Sequence, residues 1–133
     1  MITIAELMTR DPITVREDQK ILEVVPLYKE KNIHHIPVVD KQGEVIGMLS
    51  AKDVENFVTV TRIIEEEGSD VLVQEIMTQP IFSFFEDVSV QQAALAMVDN
   101  RIHAIVVADK NTEKMIGIIT STDLLKYLAG QKP

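Results

Sequence analysis

The 133-residue chain has no cysteine. That excludes a disulfide framework, a thiol nucleophile and any cysteine-ligated metal site, and it makes a reducing cytoplasm the expected setting. No apolar run approaches the roughly 18–20 residues that a membrane-spanning helix needs, so no membrane partner is expected. The N-terminus, Met1-Ile-Thr-Ile-Ala-Glu-Leu-Met8, carries an early acid and no basic cluster, which is not the pattern of a secretory signal. Basic residues are scarce: 13 Lys and Arg face 21 Asp and Glu, a formal net charge of −8. Broad contact with a nucleic-acid backbone needs the opposite balance, whereas a small anionic ligand in a locally positive pocket does not. The three histidines lack metal-ligand spacing, so no metal site is expected. There is no P-loop, no glycine fingerprint and no nucleophile elbow. No catalytic residue is assigned, and the chain is not expected to be an enzyme.

What is present is a globular composition, 46% apolar and 26% charged, written twice. Glu6-Leu-Met-Thr9 recurs as Glu75-Ile-Met-Thr78, with Met77 lying 69 residues after Met8. Pro12 and Ile13 recur as Pro80 and Ile81 at a spacing of 68; His34 and Asp40 recur as His103 and Asp109 at 69; Gly47 and Asp53 recur as Gly117 and Asp123 at 70. A spacing that drifts so little marks an internal repeat. Its copies are expected at 1–66 and 71–133, with a linker at 67–70 where Gly68 reads as a helix stop. The acidic run Glu65-Glu-Glu67 reads as a solvated helix face.

Within the first copy, Thr3-x-x-Glu6 resembles a capping box opening a short helix. Asp11-Pro12 breaks it. Ile13–Val15 reads as a strand, and Lys20–Lys31 as a helix with a stripe at Ile21, Val24, Val25 and Tyr28, kinked at Pro26. Strands at Ile36–Val39 and Val45–Leu49 flank a turn at Lys41-Gln-Gly43, and a helix follows from Ala51 to about Glu66. The second copy repeats the order: a strand at Ile81–Phe84, a helix capped by Ser89-x-x-Gln92, strands at Ala104–Val107 and Met115–Ile119, and a helix from Ser121 to Ala129 stopped by Gly130. Each copy is a β-α-β-β-α unit of about 60 residues, marginal alone. The expected fold is therefore α+β with α/β-type layers, two such repeats packed sheet to sheet about a pseudo-two-fold axis. The second strand of each hairpin runs into a helix through hydroxyl-x-x-Asp: Ser50-Ala-Lys-Asp53 and Thr120-Ser-Thr-Asp123. A helix N-terminus offers unpaired N–H groups and the positive end of a dipole, a place for an anion. The same spacing also makes a capping box.

Met-Thr-x-x-Pro, His-x-Ile-Pro-Val-Val-Asp and Gly-x-x-Ser-x-x-Asp together resemble the cystathionine β-synthase (CBS) domain, and two in tandem resemble a Bateman module, over roughly Ile4–Leu128. The resemblance implies adenosine-containing ligands (AMP, ADP, ATP or S-adenosylmethionine) in clefts between the repeats. It implies an acid for the ribose and a hydroxyl for the phosphate. Carried over by position, one cleft comprises Thr9, Ile13, His34, His103, Thr120, Thr122 and Asp123. The other comprises Thr78, Ile81, His103, His34, Ser50, Lys52 and Asp53. An ionised Asp is acceptor-only and can take both ribose hydroxyls. The second copy departs from the pattern at Val106-Val-Ala-Asp109 and at Asn111-Thr-Glu113, which stands where the first copy has its glycine turn.

The expected function is a regulatory module that senses such a ligand, needs no cofactor, pairs as a homodimer and passes its state to a separate effector protein or a larger parent chain. The competing reading is a ligand-free dimerisation or protein-interaction module, in which the hydroxyl-x-x-Asp sequences are only caps.

Overall fold

Ser50, Ser89 and Thr120 accept hydrogen bonds from the N–H groups of Asp53, Gln92 and Asp123 and so cap the helices that follow them. The computed structural model describes residues 2–63 and 70–131. In chain order the elements are a 3-10 turn at Ile4–Glu6, β1 (Thr9–Arg10), β2 (Val15–Arg16), α1 (Ile21–Glu30), β3 (His35–Val39), β4 (Val45–Ser50) and α2 (Ala51–Ile63). Then come α3 (Val73–Ile76), β5 (Ser83–Phe85), α4 (Val90–Asn100), β6 (Ala104–Ala108), β7 (Met115–Thr120) and α5 (Ser121–Leu128). The order matches two α+β repeats of β-α-β-β-α. The two leading strands are shorter and start later than expected, at Val15 and Ser83. The expected end of α2 near Glu66, the acidic run and Gly68 lie outside the described residues.

The chain groups into two compact units, each combining pieces that the repeat does not join: Met1–Pro12 with Phe82–Pro133, and Ile13–Ile81. The division at 66 and 71 follows the repeated sequence; packing moves each lead-in segment onto the other copy.

In the Ile13–Ile81 unit, β2 lies parallel to β3 and β3 antiparallel to β4, giving the order β2-β3-β4. Ile21, Val24, Ile36, Val38 and Leu49 are fully buried and pack with Val15, Val54 and Val73. Asp40 shapes the β3–β4 turn: its Oδ1 accepts from Gln42 N–H and Glu44 N–H, both at 2.9 Å. Gly43 there has φ +83°, the left-handed region where a glycine costs least. Helix α1 runs through Pro26 without interruption. The ring removes the N–H that the Leu22 carbonyl would otherwise receive. The lead-in of the second copy docks here. Val73 N–H reaches Gln19 O at 2.8 Å, and Thr78 and Met48 exchange backbone hydrogen bonds of 2.8 and 3.1 Å.

The other unit is built likewise, in the order β1-β7-β6-β5, with β5 parallel to β6 and the other pairs antiparallel. Its core joins Ile4, Leu7 and Met8 from the lead-in of the first copy to Ala93, Met97, Ile105, Val107, Ile119 and Leu124. Strand β1 pairs Thr9 with Ile118 and Arg10 with Gly117. The turn after β6 has no glycine. Glu113 takes the left-handed conformation at φ +61°, and Asp109 Oδ1 accepts from Asn111 N–H (2.8 Å) and Thr112 N–H (2.9 Å). Those bonds hold the Asp109 carboxyl below its ordinary range.

The repeated glycine has one cause in both units. A Cβ on Gly117 would lie 2.5 Å from Met8 Sδ and 2.8 Å from the Thr9 carbonyl oxygen; one on Gly47 would lie 2.5 Å from Met77 Sδ and 3.2 Å from the Thr78 oxygen. The Met-Thr of each lead-in crosses the middle of the last strand of the opposite copy, and only a residue without a side chain admits it.

Candidate functional site

Each unit presents one strand-to-helix junction. At the first, β4 ends on Ser50 and α2 begins at Ala51. Ala51 N–H donates to the His34 carbonyl at 2.7 Å, and Asp53 N–H donates to Ser50 Oγ at 3.1 Å. Between them the Lys52 N–H has no partner among the described residues. No hydrogen-bond donor among those residues holds the Asp53 carboxylate. Ser50 and Asp53 are half-buried; Lys52 and the His34 side chain are exposed. The neighbouring β4 carbonyl of Leu49 receives the Tyr28 hydroxyl at 2.7 Å. Burial first, and the Asp53 charge second, push the Tyr28 phenol well above its ordinary 10.0, so it remains a donor at neutral pH.

The second junction, β7 to α5, has the same backbone and different side-chain wiring. Ser121 N–H donates to the His103 carbonyl at 2.9 Å, and Asp123 N–H to Thr120 Oγ1 at 3.3 Å. Here the acid reaches back: Asp123 Oδ2 accepts from Thr120 N–H at 2.8 Å and from Thr120 Oγ1–H at 3.0 Å. The capping box is closed. Thr122 and the His103 side chain are exposed, and His103 Nδ1 lies 3.4 Å from Ser121 Oγ.

The structure thus collects the expected site residues by unit. Thr9, His103, Thr120, Thr122 and Asp123 belong to one; Thr9 stands opposite Ile118 on the strand that ends in Thr120. Ile13, His34, Ser50, Lys52, Asp53, Thr78 and Ile81 belong to the other. There Thr78 is bridged to Met48, and its hydroxyl donates to the Met48 carbonyl at 3.1 Å. Ile13 and His34, assigned by position to the cleft of Asp123, therefore lie in the unit of Asp53. Ile13 is 37% exposed and Ile81 half-buried.

The sequence reading missed a cleft of about 560 Å³ between α1 and α2, walled by Val25, Tyr28, Ile33, Val54 and Val58, with Lys29 and Glu55 also lining it. Of the expected site residues only His34 lines it. The one available signal was a tyrosine in the apolar stripe of α1. Among the described residues no group of three His, Asp or Glu converges as a metal site would require. No described helix is long and apolar enough to cross a membrane.

The model of the CBS domain matches residues 4–61 and again residues 73–130. This chain belongs to the CBS domain family. As a CBS pair it resembles L-aspartate semialdehyde sulfurtransferase of Methanocaldococcus jannaschii, 26% identical over 97% of this chain but 24% of that protein. It also resembles inosine-5'-monophosphate dehydrogenase of the same organism, 30% identical over 91% of this chain and 22% of the enzyme. The chain spans about a quarter of the length of these relatives. Among solved structures, a CBS domain pair in complex with 5'-methylthioadenosine and S-adenosyl-L-methionine superposes with a TM-score of 0.83 at 25% identity, covering 98% of both chains. The CBS domain of a bacterial CNNM/CorC family Mg2+ transporter in complex with ATP gives 0.82 at 20% identity, covering 98% of this chain and 89% of the other, a likeness of fold.

Proposed function

We propose that this CBS pair is a regulatory module that binds an adenosine-containing ligand, AMP, ADP, ATP or S-adenosylmethionine, at its strand-to-helix junctions and passes occupancy to an effector protein. The observation that carries the reading is the paired junction. Each has a backbone N–H without a partner among the described residues, at Lys52 or Thr122, and each sets a hydroxyl and a carboxylate beside it. A phosphate or carboxylate oxygen suits the N–H and the hydroxyl of Ser50 or Thr120. The ribose diol suits the acceptor-only carboxylate of Asp53 or Asp123. Thr9, Thr78, Lys52, Thr122, His34 and His103 are assigned as polar neighbours, and Ile13 and Ile81 as apolar walls for the base. The ligand complexed with the 25%-identical CBS pair supports the adenosine class.

No step of this function is chemical, and it needs no cofactor. Cytoplasmic placement belongs to the same reading and rests on the absence of cysteine. So does self-association, which the exposed apolar side chains of α4 and α5 support. The division into copies at 1–66 and 71–133 is kept as the sequence unit of the module.

Ligand at about 100 times its dissociation constant stabilises a fold by roughly 2.7 kcal/mol, so thermal unfolding with each of the four ligands at millimolar concentration tests the reading. A rise in Tm with at least one is expected. No response to any of them rejects ligand sensing and leaves an assembly module.

A further inference from the structure

The cleft between α1 and α2 has a polar side as well as an apolar one. On α2, Val54 and Val58 stand four apart, and so do Glu55 and Thr59. Residues four apart share a helix face, so an apolar row and a polar row line the cleft together. Helix α1 adds Val25 and Tyr28 to the first and Lys29 to the second. Lys29, Glu55 and Thr59 are exposed. Neither Lys29 nor Glu55 joins an ion pair among the described residues. A base and an acid therefore border one hollow of about 560 Å³ without neutralising each other.

Helix packing does not call for these three residues. The second copy builds the same pair of helices, and 69 or 70 positions after Lys29, Glu55 and Thr59 it carries Val98, Leu125 and Ala129. The apolar wall does recur, with Ile33 and Val54 answered by Ile102 and Leu124. The polar side of the cleft belongs to the first copy.

The volume suits a small molecule, and the charges say which kind. An anion would gain from Lys29 and lose to Glu55; a cation would do the reverse. A neutral apolar molecule would strip water from both charges and give nothing back. A molecule with one carboxylate and one ammonium on an apolar body answers the whole lining. Its carboxylate accepts from Lys29 Nζ, its ammonium donates to the Glu55 carboxylate and the Thr59 hydroxyl, and its body covers Val25, Val54 and Val58.

We propose that the α1/α2 cleft binds a free α-amino acid with a large apolar side chain. Lys29, Glu55 and Thr59 take no part in the nucleotide site proposed at the junctions, so the inference goes beyond that reading and stands without it.

Calorimetric titration of the intact chain with L-leucine, L-methionine and L-phenylalanine, one at a time, is the test. Saturable binding of at least one is expected. Isocaproate, which lacks the ammonium, and isoamylamine, which lacks the carboxylate, should bind about ten-fold more weakly or worse, as the loss of a hydrogen bond to a charged group implies. Lys29→Met and Glu55→Gln should each weaken the amino acid about ten-fold, with circular dichroism and the nucleotide-induced Tm shift unchanged. No binding of any of the three amino acids overturns the proposal, even where AMP still raises Tm. Binding that survives Lys29→Met combined with Glu55→Gln overturns the placement in this cleft. An amine or an acid that binds as tightly as the amino acid overturns the ligand class. Amino-acid binding that both substitutions weaken, in a chain whose Tm no nucleotide raises, upholds the proposal and rejects nucleotide sensing alone.

Discussion

The junctions at Asp53 and Asp123 share a motif and a backbone, yet among the described residues only the Asp123 carboxylate is hydrogen-bonded. Asp123 closes a capping box on Thr120; Asp53 receives no donor among the described residues, and Ser50 caps α2. A cap and a ribose site need the same acceptor, so the acid that stabilises its helix is less available to a ligand. The units also differ behind the junctions. Tyr28 ties α1 to β4, and the residue 69 positions later is Met97, a buried thioether with no such bond. Duplicated sequence thus gives two junctions of one backbone pattern whose carboxylates are bonded differently among the described residues.

The comparison breaks most sharply at the glycines. Gly117→Ala is expected to cost about 3 kcal/mol and Gly47→Ala about 1, because the new methyl meets a backbone carbonyl in the first and mainly a pliable methionine in the second. Urea midpoints report both. Equal losses would mean that the two lead-ins cross their strands alike.

The acids come next. Asp53→Ala should weaken nucleotide binding at the tighter site by roughly ten- to hundred-fold, the worth of about 1.5–3 kcal/mol for hydrogen bonds to a charged group, as read by calorimetric titration. Its effect on stability should be the smaller of the two. Asp123→Ala should destabilise the fold by about 1 kcal/mol more than Asp53→Ala, the worth of a cap, and affect only the weaker binding event. The reverse assignment of tight and weak sites would end the argument from availability.

Tyr28→Phe removes a hydrogen bond and should cost about 1 kcal/mol. The raised phenol gives this prediction a pH signature. A group whose folded pKa lies above its unfolded one contributes fully below the unfolded value, here 10.0, and loses that contribution as pH rises. Wild type should therefore lose stability above pH 10 more steeply than Tyr28→Phe. Parallel alkaline curves would deny the buried hydroxyl its role.

The smallest effect is expected at the β6–β7 turn. The Asp109 carboxyl is lowered by Thr112 and Asn111 N–H groups, so its contribution holds above its ordinary 3.8 and disappears as pH falls through the folded value. Asp109→Ala should lower Tm slightly at neutral pH and converge with wild type under acid. A constant gap down to the lowest pH would assign the turn to other contacts.

Much of this was legible along the chain because the signals are local. Asp40 and Asp109 announce turns through their own side-chain bonds, Ser89-x-x-Gln92 closes a reciprocal cap, and Gly130 ends α5 in the left-handed conformation. The helix expected across Pro26 is present, with Ile21 and Val24 buried on its inner face. No local pattern states which unit a lead-in joins.

The sequence by itself determined the repeat, from matching residues 68 to 70 positions apart, and also the order of the main strands and helices, the turn chemistry and the two hydroxyl-x-x-Asp junctions, since each of these depends on residues within a few positions of one another. Only the tertiary structure decided that each Met-Thr lead-in crosses to the opposite copy, that Gly47 and Gly117 leave room for it to pass, and that among the described residues Asp123 is hydrogen-bonded while Asp53 is not. Those outcomes depend on which surfaces meet. Thr9 and Ile118 stand 109 residues apart in the chain, a pairing that burial and strand hydrogen bonding select and no periodicity encodes.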